Sequence, residues 1–256
     1  SVKCIVRYGI GYDNIDIAAA SARRVKVCNV QGYANHAVSD HALALILACV
    51  RSLPMGMGIL RSNYAAPPSR HMPELKDMTL GIVGLGRIGG TLCSKAKALF
   101  TRVLAYDPYV SDERFSTLGA VKVSFDEVLS ESDVVSVHCN LTEETRCMFN
   151  AESLGKMRPT AILVNTSRGP VLDEDAVTAA LENERLFAAG LDVFWDEPPL
   201  ENRVPLTSHP RVIATGHYAW YSDAAHRELQ RRAAENMVRM LKGETPDDCL
   251  NAEAFG

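Results

Sequence analysis

Apolar runs of strand length recur along the chain, and most carry no polar alternation: Val2–Val6, Val25–Cys28, Leu80–Val83, Arg102–Tyr106, Val134–Val137, Ala161–Asn165, Ala188–Val193 and Val212–Thr215. A strand that is apolar on both sides has to be covered on both sides, which is the condition of a parallel sheet lying between helix layers. Helical patterns fill the intervals at Asn35–Val50, Arg87–Leu99, Phe125–Ser130, Glu174–Asn183 and Asp223–Lys242. The alternation predicts an α/β fold built on a doubly wound parallel sheet of the Rossmann type. Pro54 to Pro73 breaks the rhythm with Gly56, Gly58, Pro67 and Pro68, and reads as a loop or arm.

Composition narrows the partners. A net charge of −4 with scattered basic residues is not the footprint of a nucleic-acid binder. The longest apolar stretch, Ala42 to Val50, falls far short of the roughly 18 residues of a membrane span. Seven cysteines, an odd number without a C-x-x-C pair, are expected to be buried thiols of a reducing compartment. With no basic and apolar leader at the start, a cytoplasmic protein is expected. No group of side chains has metal-ligand spacing, so no metal is expected.

The strand Leu80–Val83 runs into Gly84-Leu85-Gly86-Arg87-Ile88-Gly89, and a helix follows. Gly84 permits the tight turn, Gly86 lets a pyrophosphate approach the backbone, and Gly89 lets helix and strand pack closely. The helix N-terminus then offers unpaired N–H groups to phosphate, and Arg87 adds a charge. The next strand ends in Asp107, about 20 residues on, where a carboxylate meets ribose hydroxyls and repels a 2′-phosphate. The expected cofactor is NAD.

Hydride transfer to a carbonyl needs a group that holds the substrate and one that supplies a proton. A guanidinium suits a 2-oxo acid, an imidazole suits the proton, and a carboxylate behind the imidazole fixes its tautomer. Arg168, Glu197 and His217 each lie just past the carboxyl end of an expected strand, the edge where open α/β sheets bind ligands.

The segments N-T-S-R-G at 165–169, L-D-V-F-x-x-E-P at 191–198 and G-H-Y-A-W at 216–220 resemble the catalytic signature of the D-isomer-specific 2-hydroxyacid dehydrogenases. Ala219-Trp220-Tyr221-Ser222 and the stretch from Val6 to Asp16 most resemble the C-terminal-binding-protein-like branch. The resemblance implies that Arg168 binds the carboxylate and carbonyl of a small 2-oxo or 2-hydroxy acid, that His217 is the general acid and base, and that Glu197 orients it. It implies Asp192 on the nicotinamide carboxamide, Thr166 and Ser167 nearby, and His138, Cys139, Asn140 and Thr145 along the adenine side. It also implies a loop of Arg7, Gly9, Ile10 and Gly11 closing over the substrate, with Trp220 narrowing the pocket. Residues 32–216 are expected to form the NAD-binding Rossmann domain. Residues 1–31 with 217–256 are expected to form part of a flavodoxin-like substrate domain whose beginning is missing. A homodimer through the cofactor domain is expected, with Asn35–Val50, the Pro54–Pro73 arm, Met55, Met57 and Phe100 at the contact. The alternative is an NAD(H)-binding, corepressor-like sensor with little turnover.

Overall fold

The structure, a computed structural model, describes residues 2–59, 72–201 and 204–255. They divide into two compact units, Ser1–Ala37 with Trp220–Gly256, and Val38–Ala219. In chain order the strands are β1 (Cys4–Val6), β2 (Lys26–Cys28), β3 (Thr79–Val83), β4 (Arg102–Tyr106), β5 (Val121–Lys122), β6 (Val134–Val137), β7 (Ile162–Asn165), β8 (Ala188–Leu191) and β9 (Val212–Ala214). The helices are α1 (Ile17–Ala22), α2 (Asn35–Val50), α3 (Leu53–Ile59), α4 (Arg87–Ala96), α5 (Asp112–Leu118), α6 (Phe125–Glu131), α7 (Ala151–Lys156), α8 (Glu174–Glu182), α9 (Val204–Thr207) and α10 (Asp223–Leu241).

The larger unit holds a seven-stranded parallel sheet in the order β5-β4-β3-β6-β7-β8-β9. Successive residues of each strand feed opposite faces. Leu80, Ile82, Val103, Ala105, Val134, Ile162 and Val164 join a core with α2, α4 and α5. Val83, Leu104, Val135, Val137, Leu163 and Ala189 join a second core with α6, α7 and α8. Two buried faces account for the missing alternation in the sequence. Order reverses between β3 and β6, so the strands' carboxyl ends open a crevice there.

Several expectations shift. The runs at Val2–Val6 and Ala188–Val193 give shorter strands, and Arg87–Leu99 gives a helix that stops at Ala96. Unexpected α1 and α7 are six-residue helices held by caps: the Asp16 carboxylate accepts the Ala19 N–H, and Asn150 forms a capping box with Ser153. The start of the Pro54–Pro73 arm is helical in α3, and Leu60–His71 lie outside the described residues. Phe100, expected at a contact surface, is buried in the core beside Val103. The boundaries fall at 37/38 and 219/220 instead of 31/32 and 216/217. At the second, His217 N–H donates to the Asp192 carbonyl and Ala219 N–H to its carboxylate, tying these residues to the larger unit.

In the smaller unit β1 and β2 pair in parallel, with Cys4 opposite Lys26 and Val6 opposite Cys28. Ala20, Val25 and Val27 pack with Ile5, Ile15, Ile17 and Leu250. From α10, Leu229 and Ala233 pack on Val30. Asn236 of that helix donates to the Asn29 carbonyl and the Asp248 carboxylate, both at 3.1 Å. Such buried polar links fix the register of a chain segment as well as satisfying its donors.

Candidate active site

The turn after β3 is shaped as a cradle. Gly84 has φ +93°, and a Cβ there would stand 2.6 Å from the Cys139 nitrogen. A Cβ on Gly89 would stand 2.0 Å from the Gly84 carbonyl oxygen, so α4 can approach the turn only as glycine. Gly86 meets nothing within 4 Å: the space over it is open. Asp107, at the end of β4, holds the turn through its Oδ2, which accepts the Leu85 N–H at 2.8 Å, while Oδ1 accepts the Tyr109 N–H. Arg114, which sequence reasoning missed, donates to the carbonyls of Gly86 at 3.0 Å and Leu85 at 3.5 Å. The guanidinium thereby braces the turn at the N-terminus of α4, the electropositive end of that helix.

Across the crevice, His138 N–H extends the β3–β6 ladder to the Val83 carbonyl. Its Nε2 lies 2.8 Å from Ser136 Oγ, and its buried Nδ1 has no protein partner. Burial pushes the imidazole down to about 4 and the neighbouring Cys139 thiol up to about 12, so both are neutral near pH 7. Thr145, next on this loop, donates its hydroxyl to the Asn140 carbonyl and accepts the Thr142 N–H; it shapes the loop.

Strands β7, β8 and β9 are neighbours, and their carboxyl ends carry the other candidates. Asn165, buried at the end of β7, accepts Ser167 N–H and hydroxyl through Oδ1 and donates Nδ2–H to the Arg168 carbonyl, all at 2.9 Å. That closed turn sets where Arg168 leaves the sheet. Gly169 then touches the chain after β8: a Cβ there would lie 2.0 Å from the Phe194 carbonyl carbon. The Phe194 N–H donates to Glu197 Oε1 at 3.2 Å, and Glu197 Oε2 stands 2.5 Å from His217 Nδ1. His217 adopts φ +53°, an uncommon backbone for a residue with a side chain, fixed by its N–H on the Asp192 carbonyl at 2.8 Å. The structure thus brings the Arg168, Glu197 and His217 loops to one edge. Asn165 and Gly169, quoted in the sequence signature without a role, are what join them.

Asp192, the residue expected at the nicotinamide carboxamide, also bonds within the chain. Its carboxylate is fully buried; Oδ1 accepts the Thr215 hydroxyl at 2.6 Å and the Tyr218 N–H at 3.3 Å, and Oδ2 accepts the Ala219 N–H at 2.9 Å. It anchors the turn that carries His217. His41 of α2 reaches the same cluster, with Nε2 3.0 Å from Thr215 Oγ1 and 3.5 Å from Asp192 Oδ1, and its ring edge-on to Tyr218. The Thr166 hydroxyl is buried without a protein partner, a group left for something else at this edge.

Arg7, Gly9, Ile10, Gly11 and Trp220 belong to the smaller unit. There Arg7 donates to the Tyr8 carbonyl, and Gly9, at φ +142°, leaves room for that guanidinium. Trp220 packs edge-on to Tyr33, Tyr221 and His226.

The glycine cradle, open over Gly86, and the two orphaned buried atoms fit a dinucleotide. A family model described as D-isomer specific 2-hydroxyacid dehydrogenase, NAD binding domain, matches residues 43–219. D-3-phosphoglycerate dehydrogenase of Mycobacterium leprae is 37% identical over 252 residues, covering 98% of this chain and 47% of the relative. That of Bacillus subtilis is 35% identical over 255 residues, covering 100% and 48%. The crystal structure of D-lactate dehydrogenase from Aquifex aeolicus complexed with NAD and lactic acid superposes with a TM-score of 0.88 at 30% identity, covering 94% of this chain and 77% of that one. The chain spans about half the length of the curated relatives it matches. These relatives are metabolic dehydrogenases and do not support the C-terminal-binding-protein-like branch. Among the described residues, no helix is long and apolar enough to cross a membrane.

Proposed function

This chain belongs to the D-isomer specific 2-hydroxyacid dehydrogenase family and carries its NAD-binding domain, and on that premise we propose that it transfers a hydride between NAD and a D-2-hydroxy acid/2-oxo acid pair. The observation that carries the reading is the His217–Glu197 pair at the carboxyl ends of β8 and β9, beside the Arg168 turn of β7.

Bound NAD supplies the hydride donor or acceptor at its nicotinamide. The chain's own residues do the rest. The Arg168 guanidinium grips the substrate carboxylate and polarises the carbonyl. His217 donates Nδ1–H to Glu197, so Nε2 is the atom that gives a proton to the carbonyl oxygen in reduction and takes it back in oxidation. Glu197 holds the ring in that tautomer. The turn of Gly84, Gly86, Arg87, Ile88 and Gly89 takes the pyrophosphate, Asp107 the ribose, and the loop of His138, Cys139, Asn140 and Thr145 the adenine side. Thr166 and Ser167 lie on the nicotinamide side. The resemblance assigns the nicotinamide carboxamide to Asp192, which also anchors the turn of His217.

The smaller unit is read as part of a flavodoxin-like substrate domain, and the resemblance assigns substrate contacts to Arg7, Gly9, Ile10, Gly11 and Trp220. A homodimer through the cofactor domain is supported by the exposed side chains of Leu53 and Met57 on α3; sedimentation as a monomer would remove it.

The test is a titration with NADH, followed by energy transfer from Trp195 and Trp220. Pyruvate, glyoxylate, hydroxypyruvate and 3-phosphohydroxypyruvate are then added singly, and loss of dihydronicotinamide absorbance is followed. Phosphoglycerate and lactate dehydrogenases among the relatives set that panel. Binding with turnover of at least one acid supports the proposal, and absence of NADH binding overturns it.

A further inference from the structure

The smaller unit holds a pair of thiols that the dehydrogenase reading does not use. Cys28 ends β2, and Cys249 sits in the segment that follows α10; the two face each other across an isolated antiparallel bridge. The flanking hydrogen bonds define its type. Asn29 N–H donates to the Asp248 carbonyl and Leu250 N–H to the Val27 carbonyl, so Cys28 and Cys249 form the non-hydrogen-bonded pair. In that pairing the Cα atoms stand about 4.5 Å apart with both side chains on one face. A disulfide spans Cα separations of about 4.4–6.8 Å.

Opposed across this bridge, the two thiols lie on one face of the pair. Cys28 Sγ otherwise meets the Met240 sulfur at 3.4 Å, and Cys249 Sγ the Asn251 side-chain oxygen at 3.5 Å. Exposure divides their roles, since Cys28 is buried and Cys249 is partly open to solvent. The surrounding segment is held in place without them. Asn251 accepts the Val27 N–H and donates to the Val25 carbonyl, and Lys26 donates to the carbonyls of Gly243 and Glu244. The generic separation of such a pair falls within the range a disulfide spans.

We propose that Cys28 and Cys249 form a reversible intrachain disulfide when the chain meets a small-molecule disulfide such as oxidised glutathione. The Cys249 thiolate attacks one sulfur of the oxidant, forming a mixed disulfide and releasing one glutathione thiolate. The deprotonated Cys28 sulfur then attacks the Cys249 sulfur and releases the second. Two protein thiols are oxidised, one glutathione disulfide is reduced to two thiols, and the two protein protons end on glutathione. Burial pushes the Cys28 thiol up to about 12, so the second exchange is the slow one and accelerates with pH. Once formed, the disulfide clasps the segment around 248–250 to β2.

The experiment incubates the purified chain with oxidised glutathione, quenches with a maleimide, and reads intact mass and non-reducing peptide maps. The expected result is loss of two hydrogens, a cross-linked peptide pair containing Cys28 and Cys249, and reversal by dithiothreitol. A glutathione adduct on Cys249 precedes the disulfide. Cys28→Ser and Cys249→Ser each abolish the bond, whereas Cys4→Ser leaves it unchanged. As a second readout, protease cleavage after Lys242 slows on oxidation in the unmodified chain and is unaffected in Cys249→Ser. A bond to Cys4, a bond between chains, or a reaction that stops at the adduct overturns the proposal.

Discussion

Nδ1 of His217 lies 2.5 Å from Oε2 of Glu197, across the ends of two adjacent strands. In the proposed reaction this contact leaves Nε2 as the nitrogen for proton transfer, and it yields a direct test. His217→Ala should lower kcat by about 10²–10⁴-fold while NADH binding, followed by tryptophan energy transfer, is retained. Glu197→Ala should lower kcat with little change in KM, because the ring loses its orientation and the substrate grip stays. An unchanged kcat in His217→Ala would remove the acid assigned here.

Two glycines of one turn should behave oppositely. A methyl at Gly86 meets none of the chain's own atoms, so Gly86→Ala should fold with an unchanged melting temperature. It should nevertheless weaken NADH by about tenfold or more, about 1.4 kcal/mol, by occupying the space of the pyrophosphate. A methyl at Gly89 would overlap the Gly84 carbonyl. Gly89→Ala should therefore cost stability, about 1–3 kcal/mol, visible as a drop in Tm.

Acid should unfold the chain partly through His138. Its folded value of about 4 lies below the ordinary 6.5, so the native state binds fewer protons than the unfolded state between those values. Stability from this group is complete above about pH 6.5 and falls as pH drops toward 4, by on the order of 3 kcal/mol. Denaturant titrations at pH 7.5 and 4.5 check it: His138→Gln should lose less stability than the parent over that interval, and equal losses would refute the assignment.

His41 is a positioning residue in this reading, acting through Thr215 and Asp192 on the turn of His217. His41→Phe fills the ring's space against Tyr218 but cannot bond Thr215. It should reduce kcat without raising the Kd for NADH, and Thr215→Val should do the same. A loss of NADH binding in step with kcat would instead mark general disruption of the fold.

The sheet was readable because its strands are buried on both faces and so are apolar without interruption. Helices α1 and α7 were not, since six residues show no period and their definition lies in the caps of Asp16 and Asn150. Strand β5 is two exposed residues, Val121 and Lys122, with nothing in their pattern to mark pairing. Arg168, Glu197 and His217 stood out as candidates because each follows a strand end and lies in a segment that resembles a family signature. Arg114 and His41 did not, because their roles depend on partners distant in sequence: His41 and Thr215 are 174 positions apart. The bonds by which Asp192 anchors its turn were not legible, because what surrounds a carboxylate is settled by packing.

The close approach at Gly169 has a consequence for how such a site can change. With the chain after β7 pressed against the carbonyl of Phe194, the two loops share one seam. Anything wider than a hydrogen at that seam would wedge the guanidinium's loop away from the one holding the histidine's partner. In the reading proposed here, the grip on the acid and the aim of the proton donor are therefore adjusted together, and side chains farther out are left to discriminate among substrates.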